Sequence, residues 1–483
     1  ISSVKSWLCN GRVDRQKKIL PWNKDNNMAG FSPLEVSSYY IEHIKSSWNH
    51  EMSGGDPDYF LENQQIILTV PASFDESARE LTVKAAYMAG LKNVTLLEEP
   101  QAAFYYWIYK NKVDWNKKLN DGDVILICDV GGGTTDFTLI HAVKNGDDYL
   151  ELKRVAVGDH ILLGGDNMDM AIAHYIEKTC MAGRAKLDAL SWTSLCMKCR
   201  SLKETLLTPG ADADGSISIA GRGKSVVGTT MKFTLTREEI SKIIIDGFLN
   251  EVDFGSIDKK ISSVAGLRES GLPYAEDPSI TNQLAKFLKR HVKDIARDSS
   301  KNFVRPDKIL YNGGVFKSEA IRNRATELVS GWLSGPGAGG GFTVLDNADY
   351  DLSVSLGAAY YAYTKSGSGV RIKSGSARSY YIGVSSGDEG HASVPGKRDR
   401  AVCVVTRGME EGRKSSLDAG LSVITNQPVQ FALFSSTVNE GSTGDVVEID
   451  DENYIKLPPL FTCLNYGKKS RTPRIDISLS AYL

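Results

Sequence analysis

Residues 129–137, with the sequence DVGGGTTDF, decide the fold class of this chain. They overlap the end of an apolar run of strand length, residues 124–130 (VILICDV), and they precede a second such run at 137–140. Two strand-like runs joined by a glycine-rich turn predict a β-hairpin. Three glycines in a row let backbone N–H groups approach an anion closely, because no Cβ atom intervenes. The turn is a candidate phosphate site, although a tight hairpin alone has the same pattern.

Acidic and hydroxyl side chains flank these glycines. Asp129 is the last residue but one of the first run, Asp136 directly precedes the second, and Thr134 and Thr135 add hydroxyl donors between them. Magnesium near phosphates keeps several of its waters and is held by one or two carboxylates. The pattern therefore predicts a Mg²⁺–phosphate site in which Asp129 and Asp136 hold the metal through its waters, and the resemblance given below implies Asp129 as the metal-side acid.

Strand and helix patterns alternate on both sides of the hairpin, which is typical of an α/β fold. Upstream, residues 66–70 predict a strand, and a helix follows from about 76 to 89, capped by Asp75 and ended by Gly90. Downstream, a short strand at 309–311 precedes Gly313 and Gly314.

A change in composition marks a domain boundary at residues 365–379 (KSGSGVRIKSGSARS), which are rich in Gly and Ser and lack an apolar period. Beyond it, short β-like runs separated by turns predict a small all-β domain. The predicted organisation is an α/β domain at 1–364, a linker at 365–379 and a β domain at 380–483.

Composition limits the partners and the compartment. The 483 residues hold 57 Lys and Arg against 59 Asp and Glu, so a basic field for nucleic acid is missing. The apolar runs are shorter than the roughly 18 residues that a membrane helix needs, so we expect no membrane partner. Seven scattered cysteines suit a reducing compartment, and we expect a cytoplasmic location. The chain opens on Ile1 in mid-pattern, so we expect a fragment, excised at both ends.

Several segments, in the same order, resemble the 70-kilodalton heat-shock protein chaperones. The glycine turn is similar to that family's DLGGGTFD. Further similar segments are 3–10 (SVKSWLCN, family DAKRLIGR), 31–36 (FSPLEV, FSPEEI), 69–79 (TVPASFDESAR, TVPAYFNDAQR), 97–103 (LEEPQAA, NEPTAA), 163–169 (LGGDNMD, LGGEDFD), 312–317 (NGGVFK, VGGSTR) and 351–359 (DLSVSLGAA, DEAVAYGAA). The resemblance covers about residues 1–363. It implies an α/β actin-like (ribonuclease-H-like) two-lobed ATPase domain followed by a small β-sandwich domain.

The resemblance also implies a role for each matching residue. Lys5 would orient the attacking water, Glu99 would organise Mg²⁺ and water, and Thr134 would lie near the γ-phosphate beside Asp129. It further implies phosphate binding by Gly131, Gly132, Gly133, Asp136, Gly164 and Gly165, adenosine binding by Lys203, Gly313, Gly314, Lys317 and Asp351, and an interdomain relay through Pro71 and Arg79. Ordinary structural roles remain open for the same positions, such as a surface lysine, a helix-N-terminal acid or a strand stop.

Three departures from the family limit the implied activity. The family's opening phosphate hairpin, DLGTTNS, is absent from this sequence. In the adenosine-binding helix, Arg200, Lys203, Glu204 and Leu207 stand where the family usually has Glu, Lys, Arg and Ser, and an Arg200–Glu204 pair across the site is one expectation. The linker lacks the family's acidic and leucine-rich segment. We expect this chain alone to bind nucleotide poorly and to hydrolyse hardly any.

The function implied by the resemblance is that of a divergent chaperone, which in its full-length form binds and hydrolyses ATP with Mg²⁺. Its β domain would hold unfolded or extended peptide segments by strand-like pairing, and co-chaperones are possible partners. A non-enzymatic holding protein or exchange-factor-like scaffold stays open because the adenosine helix and the linker differ. Another actin-like ATPase or a sugar kinase also stays open, but it does not explain the β domain.

Three other patterns are weaker. Residues 221–225 (GRGKS) lack the first glycine of a phosphate-binding P-loop, because Ser218 stands there. Cys196 and Cys199 form a single CxxC, which without a second pair does not predict zinc. His160 near Gly164 is a candidate nucleotide contact, although a loop histidine is the simpler interpretation.

Overall fold

The fold is that of a computed structural model of the chain. The structure describes residues 3–22, 29–145, 150–159, 161–181, 187–208, 210–220, 230–252, 257, 272, 274–295, 302–333, 341–367, 369–373, 375–376, 378–384, 399–409, 413–426, 428–438, 441–450, 453–463, 465 and 474–482.

The described helices, in chain order, are α1 Val4–Cys9, α2 Pro33–Glu51, α3 Glu76–Met88, α4 Glu99–Lys110, α5 Trp115–Lys118, α6 Gly165–Tyr175, α7 Ala189–Leu206, α8 Arg237–Phe248, α9 Ile280–Arg290, α10 Glu319–Leu333 and α11 Ser353–Lys365. Short 3₁₀ turns lie at Pro57–Tyr59, Leu61–Asn63, Val292–Asp294 and Gly314–Lys317, and a π-helical turn at Ile176–Cys180 extends α6.

The described strands are β1 Ile66–Val70, β2 Val94–Glu98, β3 Val124–Val130, β4 Thr135–Lys144, β5 Leu150–Val157, β6 Asp214–Ala220, β7 Thr230–Thr236, β8 Lys308–Asn312, β9 Thr343–Leu345, β10 Ile372–Lys373, β11 Ser379–Gly383, β12 Arg400–Val405, β13 Lys414–Ile424, β14 Val429–Ser436, β15 Val446–Glu448, β16 Ile455–Thr462 and β17 Arg474–Tyr482.

A mixed six-stranded sheet, in the order β10-β5-β4-β3-β8-β9, forms the centre of the α/β part. Strands β3 and β4 form the predicted antiparallel hairpin, and β8 runs parallel to β3 on its other side. Every residue of β3 is buried. Its side chains alternate between two apolar layers, because successive residues of a strand point to opposite faces of the sheet.

Helices cover both faces of this sheet. Helices α6 to α10 pack on the layer that receives Leu126 and Cys128, while α4 and α11 pack on the layer that receives Ile125 and Ile127. Helices α4 and α11 cross very closely at Gly357, where an added Cβ atom would lie 1.8 Å from the carbonyl oxygen of Ala102. Only glycine fits at this crossing.

A smaller parallel pair, β1 and β2, leads into the site. The predicted helix cap is confirmed: the Asp75 side chain accepts a hydrogen bond from the Ala78 amide at the start of α3. Buried Arg15 makes two hydrogen bonds to the Asp75 carboxylate and also donates to the carbonyl of Cys9 at the end of α1. Arg15 therefore fixes α1 to the N-terminus of α3.

After Ser379 every described element is a strand. One sheet has the order β15-β12-β11-β14-β16, and a second pairs β13 with β17. Tyr381, Cys403, Phe434 and Tyr454 form the buried centre of the first sheet. The strand-rich character predicted for residues 380–483 is confirmed in these residues, while the packing of the sheets as a sandwich stays a prediction.

The segment predicted as a linker contains a strand. Ile372 and Lys373 form β10, which pairs in parallel with β5 at the edge of the central sheet. Ile372 is buried there and donates its amide hydrogen to the Tyr105 hydroxyl at 2.9 Å. The linker is thus attached to the α/β part by one apolar side chain and a two-residue strand.

None of the helices described above combines the length and the apolar character that a membrane span needs.

Candidate functional site

Four of the predicted site residues meet where β3 ends. Asp129 and Asp136 stand directly opposite each other across the β3–β4 hairpin. Glu99 is the first residue of α4, immediately after β2. Lys5 on α1 donates to both oxygens of Glu99, at 2.7 and 3.0 Å. The structure thus brings these four residues together, while their roles stay predictions.

Burial and mutual repulsion raise the pKa values of the two aspartates. Removal from water is the largest cause for Asp129, and the charges of Glu99 and Asp136 raise its pKa further, well above its ordinary range. Burial raises the pKa of Asp136 to about 6, against the hydrogen bond from Ser73. Desolvation lowers the pKa of Lys5, but the charge and hydrogen bond of Glu99 outweigh it, so the net pKa is raised. The ammonium is therefore the stable form.

Two further residues hold the aspartates, and the sequence predictions gave them no role. Ser73 donates its hydroxyl to Asp136 Oδ1 at 2.5 Å, and its amide donates to the same oxygen at 3.2 Å. The Asn312 side chain donates to Asp129, and its own oxygen accepts from Asn347 at 3.0 Å and Ser353 at 2.7 Å. Both residues lie in segments that carry the family resemblance, but only their spatial position shows the contact.

The glycine turn is packed tightly against its neighbours. The Gly131 amide donates to the Thr134 carbonyl at 3.0 Å, which closes the turn, and Thr134 is itself buried. An added Cβ atom on Gly133 would lie 2.9 Å from Ser6 Oγ on α1, and one on Gly164 would lie 2.5 Å from the Gly131 carbonyl oxygen. Because of these close approaches, a side chain at either position would collide with its neighbours, so packing alone accounts for both glycines.

The N-terminus of α6 bonds to this turn. The amide of Gly165 donates to the carbonyl of Gly131 at 3.0 Å, and the amide of Asp166 donates to the carbonyl of Gly132 at 2.7 Å. Gly164 donates to the Asn167 side chain. The first amides of the helix are thus engaged within the protein, and phosphate binding by Gly164 and Gly165 stays a prediction.

A cleft of about 500 Å³ opens beside the turn. It contains seven of the predicted ligand-binding residues together with the altered helix α7. Its predicted members are Gly131, Gly132, Gly165, Lys203, Gly314, Lys317 and Asp351, and other lining residues include Asp166, Asp169, Arg200, Glu204, Leu207 and Thr208. Residues from α6, α7 and the segment after β8 therefore face one space, as expected for a ligand site between elements.

Helix α7 is bound to α6 by ion pairs. Lys203 is buried, donates to the carbonyl of Gly165 at 2.9 Å and pairs with Asp169 at 2.6 Å. Arg200 pairs with Asp169 at 3.0 Å and with Asp166. The expected Arg200–Glu204 ion pair is not the one formed: the Arg200 guanidinium bonds instead to the two aspartates of α6.

The opposite wall of the cleft follows β8. Gly313 has φ +88°, and an added Cβ atom would lie 2.3 Å from the Val130 carbonyl oxygen, so this position requires glycine. Lys317 and Asp351, both about half exposed or more, pair at 2.5 Å. Gly313 therefore supports the wall, while Gly314, Lys317 and Asp351 face the cleft.

Pro71 and Arg79 lie outside the cleft, at the end of β1 and on α3. Arg79 donates to Glu98 at 3.0 Å and to the carbonyls of Ala72 and Phe74. Glu98 is buried and also accepts from Arg154 and from Gln101. Desolvation raises the pKa of Glu98, but the two arginines outweigh it and the net pKa is lowered. Arg154 donates in addition to the Gly375 carbonyl in the linker.

The carboxylates beside the turn fit a hydrated magnesium ion better than a directly bound one. Oxygen donors are the ligands that Mg²⁺ takes, and a cation would relieve the repulsion that raises the pKa values of Asp129 and Asp136. Within the described ranges, no three His, Cys, Asp or Glu side chains are grouped to hold a metal directly. Water-mediated contact through Asp129 is consistent with both observations.

Of the three weaker sequence patterns, only the single CxxC lies within the described residues. Cys196 and Cys199 lie on α7, and neither forms a disulfide. Within the part of the chain that the structure describes, no group of three His, Cys, Asp or Glu side chains could hold a metal ion. Residues 221–225 and His160 lie outside the described residues.

The sheet, the glycine turn and the acid–lysine cluster define an α/β protein with a cleft beside the glycine turn. A family profile described as Hsp70 protein matches residues 9–253, about half of the chain. The chain belongs to the Hsp70 family. That family has the actin-like two-lobed ATPase fold with a mixed sheet, and it binds nucleotide.

Curated relatives agree with this assignment. The chain is 28% identical over 213 residues to a chaperone protein HscA homolog of Shewanella sp. (strain MR-4), covering 44% of this chain and 30% of the relative. It is 26% identical over 329 residues to the chaperone protein DnaK of Ureaplasma parvum serovar 3, covering 68% and 44%. A third, an HscA homolog of Acinetobacter baylyi, is 29% identical over 220 residues, covering 43% and 32%. The chain thus spans less than half the length of these relatives.

Proposed function

We propose that this chain is a divergent Hsp70-type chaperone that binds ATP or ADP with Mg²⁺ in the cleft. The observation that carries the proposal is the Lys5–Glu99 pair beside Asp129 and Asp136 at the glycine turn. Phosphoryl transfer requires charge compensation and an aligned water, with little covalent chemistry for the protein to perform. The Lys5 ammonium can compensate phosphate charge, and the carboxylates around it can accept hydrogen bonds from an aligned water.

In this proposal each side chain has a distinct task. The Lys5 ammonium, kept charged by Glu99, orients the attacking water and faces the γ-phosphate. Asp129 and Glu99 would hold a hydrated Mg²⁺ ion, which would supply neutralisation of the phosphate charge. Thr134 offers its hydroxyl to the γ-phosphate, and the Gly131–Gly133 turn and Asp136 complete the phosphate side.

The adenosine part of the ligand would occupy the wall formed by Lys203, Gly314, Lys317 and Asp351. These residues support the proposal because they line the same cleft as the glycine turn. The departures on α7 act against tight binding, since Arg200 is already paired with two aspartates. We therefore expect weaker nucleotide binding than a site with an unpaired clamp would give.

The C-terminal strands would hold extended peptide segments. A peptide can add to the edge of a sheet through backbone hydrogen bonds, with its side chains in neighbouring pockets. The outer strand β16 supports this role because it exposes Leu460 and Phe461. Co-chaperones are further proposed partners, and a cytoplasmic location is part of the same proposal.

Coupling between nucleotide and peptide would run through the segment that contains Pro71 and Arg79. Ser73 in that segment bonds Asp136 on one side, and on the other its carbonyl accepts from Arg378 at 3.4 Å. Arg378 in turn donates to the Ser435 hydroxyl on β14 at 3.5 Å. By thermodynamic linkage, if nucleotide changes the affinity for peptide by some factor, peptide changes the affinity for nucleotide by the same factor.

Calorimetric titration of the full chain with Mg-ADP tests the nucleotide site. We expect binding that is lost or strongly weakened in Asp129→Asn. Asp123→Asn is a matched control, because Asp123 is a buried acid immediately before the same strand, at its opposite end. Equal binding by the wild type and Asp129→Asn would contradict the site assignment.

Other outcomes favour the alternative functions. Peptide binding without any heat from Mg-ADP would favour the non-enzymatic holding or exchange-factor-like role, for which the paired cations of the cleft are the structural support. Phosphorylation of a sugar, or ATP-dependent filaments in a sedimentation assay, would favour a different actin-like ATPase.

A further inference from the structure

The cations of the nucleotide cleft are all paired with carboxylates of the protein itself. Arg200 pairs with Asp166 and Asp169, Lys203 pairs with Asp169, and Lys317 pairs with Asp351. Among the described lining residues these three are the only Lys and Arg side chains. An anionic ligand that enters the cleft must therefore exchange with a carboxylate to reach a cation.

One of these carboxylates lies against the glycine turn. An added Cβ atom on Gly132 would be 3.3 Å from Asp166 Oδ1, so the carboxylate covers the face of Gly132. The Asp166 amide donates to the Gly132 carbonyl at 2.7 Å, which fixes this position through the backbone. Asp166 and Gly132 both line the cleft. A negative group of the protein thus stands where the glycines would admit a phosphate.

The counter-ion of that carboxylate is about half exposed and comes from another helix. Arg200 reaches from α7 to Asp166 Oδ1 on α6 and bonds Asp169 with its Nε at 3.0 Å. Its contact with Asp169 would keep the guanidinium in place if Asp166 moved. An arginine presents a planar fork of donors that suits phosphate as well as carboxylate.

We infer that Asp166 is a tethered competitor for phosphate, and that Arg200 exchanges Asp166 for a phosphate group of the bound nucleotide. The inference rests on the proposed nucleotide binding in this cleft. It assigns Arg200 to the phosphates and Asp166 to a role that weakens ADP binding without affecting the unphosphorylated nucleoside. Asp166 is then a determinant of affinity for the phosphate part of the ligand.

A purely structural role for Asp166 makes a different prediction. An acid in the first turn of a helix stabilises that helix through its dipole, so its removal would lower the unfolding temperature and leave ligand preference unchanged. The exchange predicts instead a change in the ratio of ADP affinity to adenosine affinity. That ratio separates the two roles even if both contribute.

The test is calorimetric titration of the full chain with Mg-ADP, adenosine and inorganic pyrophosphate. We expect Asp166→Asn to bind ADP and pyrophosphate about five-fold more tightly, and adenosine within two-fold of wild type, because exposed ion pairs have effects of this size. Arg200→Gln should bind ADP about five-fold more weakly, again with adenosine unchanged. Glu204→Gln is the control, since it removes one negative charge from the same cleft away from the glycine turn.

Each outcome decides between the two proposals. ADP binding by the wild type with no gain in Asp166→Asn overturns the exchange and leaves the proposed function standing. An equal gain in Glu204→Gln also overturns it, because the effect would then be a general one of charge. Absence of ADP binding in the wild type and every variant overturns both. If Asp166→Asn unfolds, the expected loss in Arg200→Gln, on a half-exposed side chain, decides the question.

Discussion

Ser73 and Asp136 form a doubly bonded contact in which both donors of the serine reach one carboxylate oxygen. The hydroxyl lies 2.5 Å and the amide 3.2 Å from Asp136 Oδ1, in a buried place. The same serine offers its carbonyl to Arg378, where the C-terminal strands begin. One small residue therefore contacts both the acid cluster and the segment that leaves the α/β part.

Ser73→Ala tests the strength of this contact. We expect a loss of about 1–2 kcal/mol in the free energy of unfolding, because a buried carboxylate loses its shorter donor while the amide bond remains. Denaturant unfolding measures the loss. Ser38→Ala is a suitable control, since Ser38 is also buried but donates only to a helix carbonyl. An equal loss in both variants would contradict a special role for Ser73.

Asp136→Asn tests the raised pKa of this acid, which is about 6 in the folded protein. An acid with a raised folded pKa holds its proton longer when folded, so it destabilises the protein increasingly as pH rises from about 4 to above 6. The variant should be more stable than wild type at pH 7.5, by about 1–3 kcal/mol. The difference should vanish near pH 4. Thermal unfolding across this range measures it, and a constant difference would contradict the assignment.

Glu98→Gln removes the buried charge that neutralises two partly buried arginines. Arg79 and Arg154 both pair with Glu98, so the variant leaves two cations without their shared carboxylate. We expect a loss of about 3 kcal/mol in unfolding free energy, in the range for a broken buried pair. Faster proteolysis in the linker should accompany it, because Arg154 also holds the Gly375 carbonyl.

The matched control for this variant is Glu151→Gln. Glu151 also pairs across the junction, with Lys373 of β10 at 2.8 Å, but that lysine is largely exposed. Its neutralisation should shift the unfolding temperature far less than Glu98→Gln does. Similar shifts in both variants would mean that burial of the Glu98 cluster is not what stabilises the junction.

Gly357→Ala tests the close crossing of α4 and α11. The new methyl group would lie 1.8 Å from the Ala102 carbonyl oxygen, so the helices must separate, and we expect a loss of about 3 kcal/mol or more. Gly247→Ala is the control, since Gly247 is helical and has open space around its Cβ position. That change should stabilise the protein by about 0.5–1 kcal/mol. Thermal unfolding of both variants should shift in opposite directions.

Local patterns were sufficient to predict much of the α/β part. The run at 66–70 forms β1 with the predicted bounds, and Asp75 caps α3 as its position before an apolar helix indicates. The hairpin around residues 131–134 is also confirmed. These features depend on neighbours in sequence, so the pattern contains the information.

The remaining features depend on contacts between distant segments. Ser73 and Asn312 hold the two aspartates, yet nothing in their own surroundings in the sequence distinguishes them from ordinary loop polar residues. Arg200 pairs with α6 rather than with Glu204, because the direction of a side chain from a helix depends on the packing of that helix. The pairing of Ile372 with the central sheet was not predicted, because a single apolar residue in a Gly/Ser-rich stretch shows no hydrophobic periodicity.

The alternation of β3 between two apolar layers constrains how this gene can vary. Ile125 and Ile127 face one layer, and Leu126 and Cys128 face the other. Asp129 lies on the same face of the strand as the isoleucines, toward Glu99 at the start of α4. Exchanges among aliphatic residues preserve the face to which each side chain points, whereas loss or gain of one codon reverses that face for every later residue of the strand. Selection in this strand should therefore tolerate substitutions and eliminate insertions and deletions.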